Sequence, residues 1–298
     1  MLRPLTLTAA LLASVCVAAP AKKPPTPAET WKQSLTQDNA AWATDKHAIL
    51  KINDAAYVHA GEYVSLVGDP NKPDSWKWAK GKLPGAAVVG TFANGKPVAM
   101  KAGRPVPDGA LAKGFDIAPG IDVMGQTAQM RPGENGLRIM VFNQQNKAAR
   151  AFTGVDYFPY NPAFRVTAAF KPDPRMTPRI FRTSRGLDKQ FDHAGDASFT
   201  LQGRSVTVPL YTDAGKPADV RDMTSFFTDE LTGHGAYRAG RYVDVEKFAK
   251  FPPARVTIDF NYAYNPNCAR SPFYNCPFAI DYIPLKVTAG EKDPHAGH

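Results

Sequence analysis

The stretch AVVGTFANGKPVAM, residues 87–100, decides the fold class. Two short apolar runs flank Ala93-Asn94-Gly95-Lys96. Asn and Gly tolerate the positive φ that a two-residue hairpin turn demands, so the pair predicts two antiparallel strands joined tightly. The same texture fills the chain from Tyr57 onward. Runs rich in Val, Ile, Phe, Thr and Tyr recur at 62–67, 137–143, 164–170, 204–211, 254–260 and 283–288, separated by Gly, Pro, Asn and Asp. In ARVTIDF, residues 254–260, Val256, Ile258 and Phe260 share a face at the period of a strand. With 27 prolines and 23 glycines among 298 residues, a helix-rich or βαβ reading fails. The expected class is mostly β, an antiparallel β-sandwich or barrel-like architecture.

One helix precedes it. Thr26-Pro27-Ala28-Glu29 reads as a capping box with proline at the first helical position. Trp31, Leu35, Trp42 and Ile49 follow at helical spacing, so an amphipathic helix is expected to run to about Leu50. Upstream, residues 1–21 carry Arg3, an apolar run over 5–17, and Ala19-Pro20-Ala21. This is a signal-peptide pattern with cleavage after Ala21. Its apolar run is shorter than the roughly 20 residues a membrane span needs. Val15 before Cys16 is bulky where a lipoprotein signal takes a small residue. The chain is therefore expected to be exported, periplasmic or secreted, with no transmembrane segment after signal removal. Residues 22–27 form a linker, and 28–145 hold the helix and a smaller β subdomain. After the polar NQQNKAAR at 143–150, residues 146–292 form a larger β subdomain and 293–298 a tail. Residues 22–27 and 291–298 are expected to be unfolded.

The formal net charge is +9, but no Lys/Arg block exceeds two residues. With the export signal, this argues against a nucleic-acid partner and for solubility or loose affinity for anionic surfaces. No G-x-S-x-G, H-E-x-x-H, P-loop or G-x-G-x-x-G motif is present. The six histidines show no ligand spacing outside the C-terminal tail. Two cysteines do not supply the four ligands of structural zinc. No metal or cofactor is expected. Cys268 and Cys276 are an even pair in an exported chain, so an intramolecular disulfide is expected across their short proline-containing loop. A thiol redox pair and a reactive cysteine are the alternatives.

Two neighbouring stretches carry the distinctive motifs. The first, residues 226–245, holds Phe227, Asp229, Gly233, Tyr237 and Ala239-Gly240-Arg241-Tyr242. The second, residues 258–279, holds Asp259-Phe260-Asn261, Ala263-Tyr264-Asn265-Pro266, Cys268 and Cys276-Pro277. With RAFTGVDYFPYNPAFRV at 150–166, they resemble the bacterial and archaeal family catalogued as domain of unknown function 1684. The resemblance covers about 150–292 and implies a mostly β chain. It implies no activity. The sequence departs from the pattern at Tyr262 after Asn261, and at His234-Gly235-Ala236 after Gly233.

Asp229, Tyr237, Arg241, Asp259, Asn261, Tyr264 and Asn265 are the candidate ligand-binding residues. Arg241 can clamp a carboxylate or phosphate, or form a structural salt bridge with Asp259 or Asp229. Asp259 lies opposite Ile258 and Phe260 in the strand pattern, so it need not be buried. It reads as a general base or as an ion-pair partner. Asn265 reads as a pocket wall or as a turn residue before Pro266. The first expectation is a small polar or anionic ligand bound near Arg241 and Asp259. The alternatives are a hydrolase using Asp259 or Asp229 as acid/base, and a structural envelope protein with no small ligand.

Overall fold

The computed structural model describes residues 24–294; the signal-peptide pattern and residues 295–298 lie outside them. The architecture is mostly antiparallel β, with three sheets and one N-terminal helix of any length. The hairpin read from Asn94-Gly95 is present. Strands Val88–Ala93 and Lys96–Lys101 pair with Ala93 opposite Lys96. Asn94 and Gly95 take φ of 52° and 72°, as a turn with two left-handed residues requires. That hairpin belongs to a five-stranded sheet, in which Val88–Ala93 also pairs with Tyr63–Asp69. A four-stranded sheet runs in the order Ile52–Val58, Glu134–Asn143, Ile121–Arg131, Phe115–Ala118.

These two sheets share one core. Val64, Leu66 and Val88 from the first meet Val123, Leu137 and Ile139 from the second. Gly90 marks the closest approach, since a Cβ there would lie 2.9 Å from the Ile139 side chain. The third sheet runs Arg241–Asp244, Thr224–Asp229, Arg204–Thr212, Lys189–Leu201, Arg165–Pro172, Arg255–Asp259. Its end strands meet again. Val245 bridges Ile258, and the Glu246 amide donates to the Thr257 carbonyl at 2.9 Å. The closure is barrel-like, around a core that includes Val166, Ala197, Val208, Phe227, Val243 and Ile258.

The helix spans Pro27–Thr44 with the expected capping box: Thr26 Oγ1 accepts the Glu29 amide, and Glu29 accepts the Thr26 amide at 2.7 Å. It stops short of Leu50. Asp45 caps it, and Lys46 turns away to pair with Asp116 and Asp122. No residue of the helix is fully buried. Trp31 packs on Tyr157 and Tyr160 and donates Nε1 to the Asn261 carbonyl at 2.8 Å.

Two further expectations are corrected. The run at 283–288 is not a strand, because the strand Asp281–Ile283 ends where the run begins. Leu285, Val287 and Ala289 are nonetheless buried, in an extended segment without a ladder partner. The C-terminal residues from 291 are not loose either. Glu291 is 1% exposed, and the amides of Glu291, Lys292 and Asp293 donate to Ala263, Asp156 and Gly235.

Candidate functional site

The motif residues gather, but Arg241 and Asp259 do not share one hollow. Arg241 leaves the positive-φ Gly240 (φ 82°), whose Cβ would sit 2.7 Å from the Phe227 carbonyl. From there the Arg241 side chain runs inward, where it is 1% exposed. Nη2 donates to Asp229 Oδ2 at 3.0 Å and to the Val287 carbonyl at 2.9 Å. Nη1 donates to the Ala289 carbonyl at 2.5 Å and the Glu291 carbonyl at 3.4 Å. Asp229 Oδ2 also accepts the Val287 amide at 2.8 Å, and Oδ1 accepts the Thr232 hydroxyl at 3.0 Å. A buried ion pair thus bonds the backbone of Val287, Ala289 and Glu291, beside the main-chain bonds that Leu285, Gly290 and Glu291 make with Glu230, Phe158 and Ala263. Burial lowers the guanidinium's proton affinity, and Asp229 opposes that.

Asp259 is not on an open face, as the strand pattern had suggested. It is buried, and Asn261 donates to its Oδ1 from both its amide (3.0 Å) and its side chain (2.8 Å). Burial raises the carboxyl's pKa, against the pull of Asn261. Asn261 also exchanges both side-chain bonds with the backbone of Asn161. No hydrogen bond or ion pair joins Asp259 to Arg241, so the expected Arg241–Asp259 cluster does not form. Asn265 tethers the C-terminus: its amide donates to Glu291 Oε2 at 2.8 Å and its Nδ2 to the Lys292 carbonyl at 2.7 Å. Arg270 holds the same Glu291 oxygen at 2.5 Å.

Cys268 and Cys276 are free thiols, so the expected disulfide is corrected. The Cys268 amide points at Cys276 Sγ, 3.3 Å away. The loop between them is tied by other means. Arg185 donates to the Pro272 carbonyl at 2.6 Å, Asn275 Nδ2 to the Leu187 carbonyl at 2.6 Å, and Ser184 to the Tyr274 carbonyl at 2.9 Å. The Cys276 thiol hydrogen bond lowers the pKa of Cys268, and the same bond together with burial raises that of Cys276. Tyr237, buried, lines a groove with Cys268 rather than with Arg241.

A hollow lies elsewhere, between the four-stranded sheet and the barrel-like one. It measures about 590 Å³. Of the sequence candidates Tyr264 and Cys276 reach it, Tyr264 beside Tyr242, to which its backbone is bridged. Tyr264 donates its hydroxyl to Asp244 at 3.3 Å, and burial raises its pKa. The hollow's charged groups come from residues that motif reading missed. Arg138, on strand Glu134–Asn143, is 6% exposed and lies with its guanidinium carbon 3.9 Å from the Tyr274 ring centre. It makes one hydrogen bond among the described residues, from Nη2 to the Phe273 carbonyl at 3.3 Å, and its Nε has no partner. Lys189, half-buried at the start of Lys189–Leu201, makes no side-chain hydrogen bond or ion pair among the described residues. Burial lowers its pKa, and Arg138 adds to that. A charged residue inside the apolar run LRIMVFN was the one available signal for Arg138.

Residues 150–292 match the family described as Protein of unknown function (DUF1684), and this segment belongs to that family. Among solved structures, the chain is similar to an uncharacterized protein from Haloarcula marismortui determined by solution NMR. The two share 29% identity over 48% of this chain and 78% of that one, with a TM-score of 0.40. No curated protein matches the chain.

Proposed function

We propose that this chain is an exported binding protein for a small anionic ligand, held between the two sheets at Arg138 and Lys189. The observation that carries the reading is the unequal treatment of buried cations. Arg241 has Asp229, Arg270 has Glu291, and Lys51 donates to the Thr44 carbonyl and Gln144, each at 2.9 Å. Arg138 has no carboxylate and one long hydrogen bond, and it faces a hollow that Lys189 shares. A buried charge without a counter-charge is costly, and a bound anion removes that cost. Aromatic walls and a few convergent polar groups are the usual furniture of a small-ligand site. The signal-peptide pattern at residues 1–21 supports export.

The carboxylates once considered for hydrolysis do not favour an enzyme. Asp229 and Asp259 are occupied by Arg241 and Asn261. The hollow itself holds one carboxylate, Asp213, whereas glycoside hydrolysis works with two.

The test is calorimetric titration with galacturonate, citrate and inorganic phosphate, against galactose as the neutral control. At least one anion should bind where galactose does not. Arg138→Gln and Lys189→Gln should each weaken it by about tenfold or more, as loss of a charged hydrogen bond of ~1.5–3 kcal/mol implies. Unchanged affinity in both variants, or no anion bound, refutes the reading.

A further inference from the structure

The hollow at Arg138 is not isolated. Tyr57 is a wall of it and equally a wall of a second hollow of about 570 Å³. Each alone is in the range that takes a drug-sized ligand, about 300–1,000 Å³, so the pair far exceeds one small anion. Two guanidinium groups lie over the Tyr57 ring: Arg138 from the first hollow at 5.8 Å and Arg185 from the second at 5.4 Å. Lys80 also lines the second. None of Lys80, Arg138, Arg185 and Lys189 is in an ion pair among the described residues. The second hollow has two acids. The Asp54 oxygens each accept a backbone amide, from Ala55 and Trp78, and Glu62 accepts that of His59.

The remaining walls have two chemistries. Tyr57 and Tyr274 in the first hollow, and Tyr63 and Trp78 in the second, are the aromatic walls, with Arg138 over one face of Tyr274 and Lys82 over one face of Tyr63, each at 3.9 Å. Gln126, Gln190 and Asn267 line the first with side-chain amides that bond to nothing in the protein among the described residues. Each such amide both donates and accepts, which suits hydroxyl groups that do the same. Flat aromatic walls suit the C–H faces of sugar rings. A third hollow shares Phe191, Asp213, Thr224 and Phe226 with the first, and there the charge reverses, with Asp213, Asp222 and Asp244 together. Acidic groups on a ligand are thus favoured at Arg138 and disfavoured past Asp213; beyond Tyr57 the counter-charges on offer are Lys80 and Arg185, beside Asp54 and Glu62, whose charges the backbone amides hold in place without cancelling.

We propose that the two hollows joined at Tyr57 hold one anionic oligosaccharide, with acid groups at Arg138–Lys189 and at Lys80–Arg185. This rests on the anion reading above and adds to it the ligand's class and its length. The experiment is calorimetric titration of the chain with oligogalacturonates of one to five residues, alongside maltooligosaccharides and tetra-aspartate. Affinity should rise at least tenfold from the monomer to the trimer or tetramer and then level off. Maltooligosaccharides and tetra-aspartate should bind at least tenfold more weakly than the matching oligogalacturonate. Lys80→Gln combined with Arg185→Gln should remove the gain with length. The longer oligomers should change the tryptophan emission, and Trp78→Phe should abolish that change; the Trp78 Nε1 has no partner to lose.

A monomer that binds as tightly as the tetramer overturns this proposal and leaves the anion reading standing. Equal binding of tetra-aspartate or of the maltooligosaccharides overturns the assignment to an acidic sugar. If galacturonate, citrate and phosphate all fail to bind, the earlier reading falls and this one with it.

Discussion

Replacing Arg241 by methionine keeps most of the side-chain volume and removes one buried charge. The structure fixes what is left behind. Asp229 keeps the Val287 amide and the Thr232 hydroxyl but loses its counter-charge. The carbonyls of Val287 and Ala289 lose their donors. Removing one partner of a buried pair costs about 3–5 kcal/mol, because the other charge stays buried. Each orphaned carbonyl carries a penalty of about 1–3 kcal/mol on its own, but the terms share one network and do not add. We take ~3–5 kcal/mol as the expected loss, which for a chain of this size lowers Tm by roughly 10 °C. Thermal and urea unfolding read the total, and hydrogen exchange reads its place. Protection should fall first at the amides of Val287, Glu291 and Asp293, which fasten the C-terminal segment. Adding Asp229→Asn should recover part of the loss, since it removes the stranded carboxylate. A methionine variant within about 1 kcal/mol of the parent, with these amides still protected, refutes the reasoning. So does a variant of unchanged Tm that has lost anion binding, because Arg241 would then be a ligand group.

Three further outcomes follow from the same geometry. Burial raises the Asp281 carboxyl from 3.8 to about 6, so the folded state keeps a proton that the unfolded chain releases between about pH 4 and 6, and stability falls as pH rises through that window. Asp281→Asn should therefore be the more stable form above pH 6, by about 1–2 kcal/mol once solvent screening is allowed for, with no gain below pH 4; equal urea midpoints at pH 7 would contradict this. Without prior reduction, iodoacetamide at pH 7 should label Cys268 ahead of Cys276, and Cys276→Ala should slow Cys268 labelling by removing its thiol donor; peptide masses decide it, and equal rates at both thiols sink the claim. Gly240→Ala should cost more than about 1 kcal/mol, from the left-handed φ and the approach to the Phe227 carbonyl, as read by urea unfolding; a neutral effect would refute that cost.

Local chemistry was legible in the sequence, and pairing was not. Asn94-Gly95 and Thr26–Glu29 act through bonds a few residues long, so hairpin and capping box both stand where the residues place them. At 283–288 the alternation of Leu285 and Val287 signals burial, and burial is what occurs. The reading as a strand fails because the Val287 backbone bonds to Arg241 and Asp229, residues that no local pattern can nominate. Asp259 reads as open by alternation, but the strand Arg255–Asp259 ends there and the chain turns through Asn261. Arg138 and Lys189 lie on strands of different sheets, 51 positions apart in sequence. What singles them out is the lack of a counter-charge, a property of the folded neighbourhood and not of either residue.

The frame and the site also divide differently along the chain. Arg241–Asp229, Asn261–Asp259 and Asn265–Glu291 all fall within residues 150–292, the segment that matches the family. Arg241 and Asp229 also bond the backbone of Val287 and Ala289, and Asn265 that of Lys292, so this segment carries the means of holding its own C-terminus. The hollow at Arg138 has a composite wall: Lys189, Phe191, Tyr242 and Tyr264 lie inside that segment, whereas Tyr57, Gln126 and Arg138 lie before it. A protein with the shared segment alone would keep Lys189 and lose the unpaired guanidinium. In this chain, therefore, the motif residues both hold the C-terminal segment against the barrel-like sheet and line one side of the hollow, while the preceding sheet supplies Arg138 to the other.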